Sequence, residues 1–84
     1  MSQEHDAVEL DATGLNCPML VIQTSQAFAD LGVGETLEVH ATDPGSVSDI
    51  AGWADSTDGA SLREQTEQDA SEGTVYVHRI ERVA

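Results

Sequence analysis

Between Pro18 and Gly32 the chain changes its hydrophobic period. Leu20, Thr24, Ala27, Phe28 and Leu31 recur at the three-and-four spacing of one helical face, whereas the segments on either side alternate every second residue. That switch commits the chain to a fold in which helix and sheet share one core. Ala7 to Asp11, "AVELD", alternates as a short strand and is followed by turn residues in "ATGLN". The spacing predicts a helix from Pro18 to about Leu31. Pro18 suits its first turn, where a missing N–H costs nothing, and Gly32 suits the left-handed position that closes a helix.

"GETLEVHATD" reads as a second strand with Leu37, Val39 and Ala41 on one face and Glu38 and His40 on the other. Asp43 is the expected N-cap of a second helix that starts at Pro44, carries the stripe Val47, Ile50, Ala51 and Ala54, and ends near Asp58 and Gly59. A third strand is predicted over Ala60 to Glu67, with Leu62 as its one firm anchor. "DASEG" is a turn, and "TVYVHRIERV" closes the chain as a strand. In that strand Val75 and Val77 share one side while Tyr76 and Ile80 share the other. Either a bulge or cover on both faces reconciles them.

The order β-α-β-α-β-β implies an α/β (α+β) two-layer sandwich, with both helices on one face of a small mixed four-stranded sheet because parallel crossovers are right-handed. With 84 residues the chain has room for one domain, 1–84, in which residues 1–6 are polar and loose. The uncovered sheet face is expected to carry Glu38 and His40.

Sixteen Asp and Glu face three Arg and no Lys, a formal charge of −13 spread along the whole chain. Such a surface repels nucleic acid and anionic lipid, and it suits a salt-rich cytoplasm that screens its self-repulsion. The first residues, "MSQEHDAVEL", show neither a basic start nor a long apolar stretch, and the longest apolar run, Met19 to Ile22, is too short to span a bilayer. A soluble, cytoplasmic protein is expected.

There is one cysteine, Cys17, so no internal disulfide can form. With Pro18 as the first helical residue, Cys17 becomes the N-cap, where backbone N–H groups without helical partners favour an anion. Pro18, Met19 and Leu20 then supply the supporting helix start. A thiolate there attacks sulfur electrophiles. The residues alone equally admit a small buried cysteine filling a core gap, since free cysteine is among the most buried residue types.

"LDATGLNCPML" at Leu10 to Leu20, with "GETLEVHATDPGSVSDIAGWA" at Gly34 to Ala54, resembles the TusA or SirA-like family of small sulfur-carrier proteins. The likeness runs from about Leu10 to Arg82. It implies the same β-α-β-α-β-β fold and a cysteine, here Cys17, that carries sulfur as a persulfide. It implies a cysteine desulfurase or rhodanese-type donor and a downstream acceptor protein, in tRNA thiolation, molybdenum cofactor work or other sulfur metabolism. Such a carrier needs no cofactor and does not turn over alone. Two features depart from the family pattern: Leu20 stands where the Cys-Pro-x-Pro motif has its second proline, and Gln23 to Gln26 supply no basic residue. They motivate an alternative, an interaction or regulatory domain of the same fold. A stand-alone thiol redox enzyme is disfavoured by the lack of a resolving cysteine.

His5, His40 and His78 have no close spacing to one another or to Cys17, so no metal site is expected and all three read as surface histidines. "TDPGSVSD" lacks a Walker pattern, and Asp43 would repel a phosphate there. Asp43, expected near the Cys17 loop, and Trp53, at the edge of its helical stripe, are candidates for a partner surface.

Overall fold

Leu37, Val39 and Ala41 are all fully buried, and the strand that carries them, β2 (Thr36–Ala41), is an inner strand of the sheet. The computed structural model describes residues 7–71 and 73–84; the N-terminal segment expected to be loose, His5 included, lies outside the described residues. β2 pairs in parallel with β1 (Val8–Ala12) and antiparallel with β4 (Gly73–Arg82), and β4 pairs antiparallel with β3 (Ala60–Ala70), giving the order β1-β2-β4-β3. The parallel β1–β2 step is bridged by α1 (Met19–Ala29), and α2 (Ser46–Ser56) connects β2 to β3. α1 lies on β1 and β2, and α2 on β3 and β4. The expected two-layer architecture is present.

The core is aliphatic and lies between the layers. Leu20, Phe28 and Leu31 come down from the α1 region and Ile50 from α2, onto Ala12, Leu37, Val39, Ala41 and Ile80 of the sheet. Register explains the split face of the last strand. Ile80 lies opposite Leu37, His78 opposite Val39 and Tyr76 opposite Ala41, so these three face the helices, whereas Val77 opposite His40 and Arg79 opposite Glu38 face away. Of the two devices named from the sequence for this strand, burial on both faces is the one that applies, since Val77, on the uncovered face, is itself buried; the register shift in this pair lies in β3, between Leu62 and Glu64, and leaves the alternation of β4 intact. The third strand runs three residues past Glu67, into the segment read as a turn, because it pairs with β4 as far as Ala70 and Gly73.

Several helix ends differ from the sequence reading. Pro18, not Cys17, is the N-cap of α1, because its carbonyl accepts the Ile22 N–H at 3.0 Å. α1 ends at Ala29, where the Asp30 and Leu31 N–H groups reach back three residues to Ala27 and Phe28. Gly32 does not take the left-handed position; Gly34 does, at φ +94°, while the Gly32 N–H donates to Glu35 Oε1. The N-cap of α2 is Gly45 rather than Asp43, whose carboxylate instead accepts the Gly45 N–H and whose carbonyl accepts that of Ser46. That helix closes two residues before Asp58, at Ser56, where the Thr57 backbone turns extended.

All three arginines are committed. Arg63 pairs with Glu81, Arg79 with Glu38 across the uncovered sheet face, and Arg82 donates to the Leu31 carbonyl and lies over the Phe28 ring. None is left to offset the remaining carboxylates, so the −13 charge acts on the whole fold. Its thermal midpoint is expected to rise as salt goes from about 0.1 M to about 1 M, shortening the screening length from ~10 to ~3 Å; a flat or falling midpoint in a calorimetric series contradicts this. Ile50→Ala, which empties a fully buried position between α2 and the sheet, is expected to cost about 2–5 kcal/mol in a urea titration.

Candidate functional site

Parallel pairing of β1 with β2 puts both strand C-termini, and therefore the starts of both helices, at one end of the molecule. Two loops meet there, residues 13–18 before α1 and residues 42–45 before α2. They are tied directly: the Gly14 N–H donates to Thr42 Oγ1 at 2.8 Å. Gly14 adopts φ +82°, a left-handed conformation that disfavours any side chain, so the turn that begins the cysteine loop depends on a glycine. Asp11 braces the same loop by accepting the Thr13 hydroxyl and N–H, and those two bonds hold its carboxyl below the usual carboxylate range.

Cys17 is exposed at the tip of this loop, one residue ahead of the α1 N-cap. A core-filling role is therefore excluded. The Cys17–Pro18 peptide is cis. Among the described residues the Met19 and Val21 N–H groups of the first turn have no backbone acceptor, and they remain available to an anion at the helix start. Leu20 behaves differently from the supporting role expected of it. Its side chain is 0% exposed in the core, and its N–H donates to the Asn16 carbonyl at 3.0 Å, across the cysteine. A proline at this position has no N–H to make that bond. Leu20 thus anchors the Asn16–Leu20 turn by its N–H at one end and by its buried side chain at the other.

Pro18 and Met19 are exposed beside Cys17, and Ile22 one turn on is 44% exposed. Asp43 lies in the second loop, next to the residue that bonds Gly14, so it belongs to this end of the molecule. Trp53 does not. It packs edge-on against Phe28 with ring centroids 5.3 Å apart, and Phe28 lies nine residues beyond Met19 on α1, roughly 13 Å further along that helix axis.

Neither described histidine is bonded to the cysteine. His40 lies on the uncovered face, bonded to Glu38 at 2.8 Å; that bond and the Arg79 charge hold Glu38 below the usual carboxylate range against the cost of its burial. Glu9, Glu38 and His40 each bring a ligand atom within 4.8 Å of the others, but the Arg79 guanidinium already supplies the positive charge there. His78 corrects the surface reading outright: it is 0% exposed, with Nε2 3.0 Å from Ser46 Oγ and Nδ1 3.1 Å from Gln65 Nε2. The signal was its place between Tyr76 and Ile80 in a period-two strand. Nothing local marked Thr42 or Gln65, whose roles exist only across loops and strands.

Among the described residues no helix is long and apolar enough to cross a membrane. The model of the family described as sulfurtransferase TusA matches residues 8–82. A putative sulfur carrier protein of Halobacterium salinarum is 48% identical over 83 residues, 98% of each chain. The putative sulfur carrier protein YrkI of Bacillus subtilis is 48% identical over 59 residues, 70% of this chain and 77% of its own. The sulfur carrier protein TusA of Allochromatium vinosum is 43% identical over 60 residues, 71% and 78% of the two chains. With its β-α-β-α-β-β sandwich and its exposed cysteine ahead of the first helix, this chain belongs to the TusA family of sulfur carriers.

Proposed function

We propose that this chain carries sulfur as a persulfide on Cys17, working as a one-domain relay between two partner proteins in a reducing, salt-rich cytoplasm. The observation that carries the reading is the exposure of the one cysteine on a braced loop at the N-terminal end of α1. Loading is a thiol exchange. The Cys17 thiolate attacks the outer sulfur of a donor enzyme's persulfide, the new S–S bond forms on Cys17, and the donor's own thiolate leaves. Delivery repeats the step in the other direction: an acceptor thiolate attacks the outer sulfur and Cys17 departs as thiolate. No electrons are gained or lost overall.

The protein's contribution is electrostatic and topological. Cys17 stands one residue ahead of the α1 N-cap, beside first-turn N–H groups that have no backbone acceptor among the described residues and that favour an anionic group at a helix start. The chain has no second cysteine to attack the adduct, so the sulfur waits for an external acceptor. A cysteine desulfurase or a rhodanese-type enzyme fits as donor, since both hold sulfur as a cysteine persulfide. The acidic surface with no free arginine argues against direct contact with nucleic acid.

Incubation with a cysteine desulfurase and free cysteine, in high salt, is expected to add the mass of one sulfur to the wild type and none to Cys17→Ser, with the gain removed by reductant. Intact-mass spectrometry reads both. Sulfur gain on the serine variant sinks the proposal, and so does an inert wild type beside a control carrier that loads.

A further inference from the structure

The buried histidine has a defined protonation state, and the hydrogen bonds around it fix which one. Gln65 Nε2 donates to the Val47 carbonyl at 2.9 Å, a partner that can only accept, so the amide orientation is set. The same nitrogen lies 3.1 Å from His78 Nδ1, which must therefore accept the second amide hydrogen. The imidazole proton then resides on Nε2 and is donated to Ser46 Oγ at 3.0 Å. His78 is thus neutral, with both ring nitrogens used, and it joins β3, β4 and the first turn of α2 from inside the fold.

That first turn leads straight to the cysteine end. The Ser46 N–H donates to the Asp43 carbonyl, Gly45 to the Asp43 carboxylate, and the adjacent Thr42 hydroxyl accepts the Gly14 N–H of the cysteine loop. We propose that His78 is a positioning residue for Cys17: through Ser46 and the 42–45 loop it fixes the turn that presents the cysteine, and its protonation releases that turn. The inference rests on the sulfur-carrier reading for its functional meaning but not for its structural test.

Protonation of Nδ1 sets an N–H against the Gln65 amide hydrogens. Rotating the amide to offer its oxygen instead sets that oxygen against the Val47 carbonyl. In the first arrangement the bond between Gln65 and the imidazole is lost, and in the second the bond from Gln65 to Val47 in the first turn of α2; each loosens the set of bonds that joins β3, β4 and α2. On the helix-facing side, β2 opposes His78 with Val39, β3 offers Gln65 with Glu67 two residues along, β4 adds Tyr76 and Ile80, and α2 brings Ser46 and Ile50 with Asp49 in the same turn. No carboxylate stabilises the cation; burial alone pushes the imidazole below its ordinary 6.5. The sign follows: the unfolded chain binds the proton more readily, so the contribution of neutral His78 is complete above 6.5 and is lost as pH falls through the lowered folded value.

The test is a pH titration of the full chain in high salt by nitrogen-15 NMR, from about pH 7.5 to about pH 5, spanning the ordinary histidine range. The amides of Gly14, Met19 and Ser46 are expected to move with one midpoint, below 6.5 and shared with the His78 ring. That movement should vanish in His78→Gln, which keeps a polar group without a titrating ring, and persist in His40→Gln. Ser46→Ala retains the imidazole but cuts the bridge, and it should leave His78 titrating while Gly14 and Met19 stay still, which covers the case of a poorly folded glutamine variant. Loop amides that stay still while wild-type His78 titrates overturn the proposal, as does a loop response that survives in both His78→Gln and Ser46→Ala. For function, the ratio of wild-type to His78→Gln sulfur loading is compared at the two pH limits, which cancels the donor's own pH dependence. A ratio that falls on acidification supports the device and a constant ratio refutes it. Failure of both proteins to load at any pH speaks against the carrier reading and leaves the NMR result intact.

Discussion

Parallel pairing of β1 with β2 is the constraint on which the rest of the molecule depends. Antiparallel neighbours can be joined by a tight turn, but parallel ones require the chain to travel back along the sheet, and here it does so as α1. Because β2 runs the same way as β1, the segment that leaves it starts at the same end and returns as α2. Two helix starts and two loops are thereby placed side by side, and the only cysteine is on one of them. The inward face of β2, fully buried at Leu37, Val39 and Ala41, holds this arrangement by packing under both helices.

The cysteine loop is rigidified by backbone groups and small side chains. Gly14 supplies the left-handed turn, Thr42 and Asp11 brace it, and Leu20 closes it with an N–H on Asn16 and a side chain in the core. These contacts leave the thiol itself exposed. That combination suits a group that must be reached by two different protein surfaces in turn, since a mobile loop would pay ordering entropy at each encounter. The arginines, by contrast, all serve the fold. The charge left over is strongly net negative and spread along the chain, so its repulsion acts on the fold as a whole and is sensitive to screening by salt.

The departures from the sequence reading share a cause. Pro18 and Gly45 displace Cys17 and Asp43 as N-caps because the first helical bonds are accepted by Pro18 and Gly45 carbonyls, and a cap is decided by which carbonyl wins that bond. His78 was read as exposed because histidine usually is, yet its strand position alone placed it with Ile80. It is tolerated inside because Ser46, a helix-start residue, and Gln65, from the neighbouring strand, arrive at its two nitrogens. No local pattern announces such a meeting of three distant segments.

By itself the sequence determined the order of elements, the aliphatic faces that meet in the core, the single cysteine and the uncompensated acidity, because period and composition are local or additive properties. Only the tertiary structure decided that β4 inserts between β2 and β3, that Trp53 belongs to the far end while Asp43 stays with the cysteine, and that a buried histidine links the second helix to the sheet. Those outcomes depend on strand register and on which loops fall together, and both are set by the packing of segments far apart in the chain.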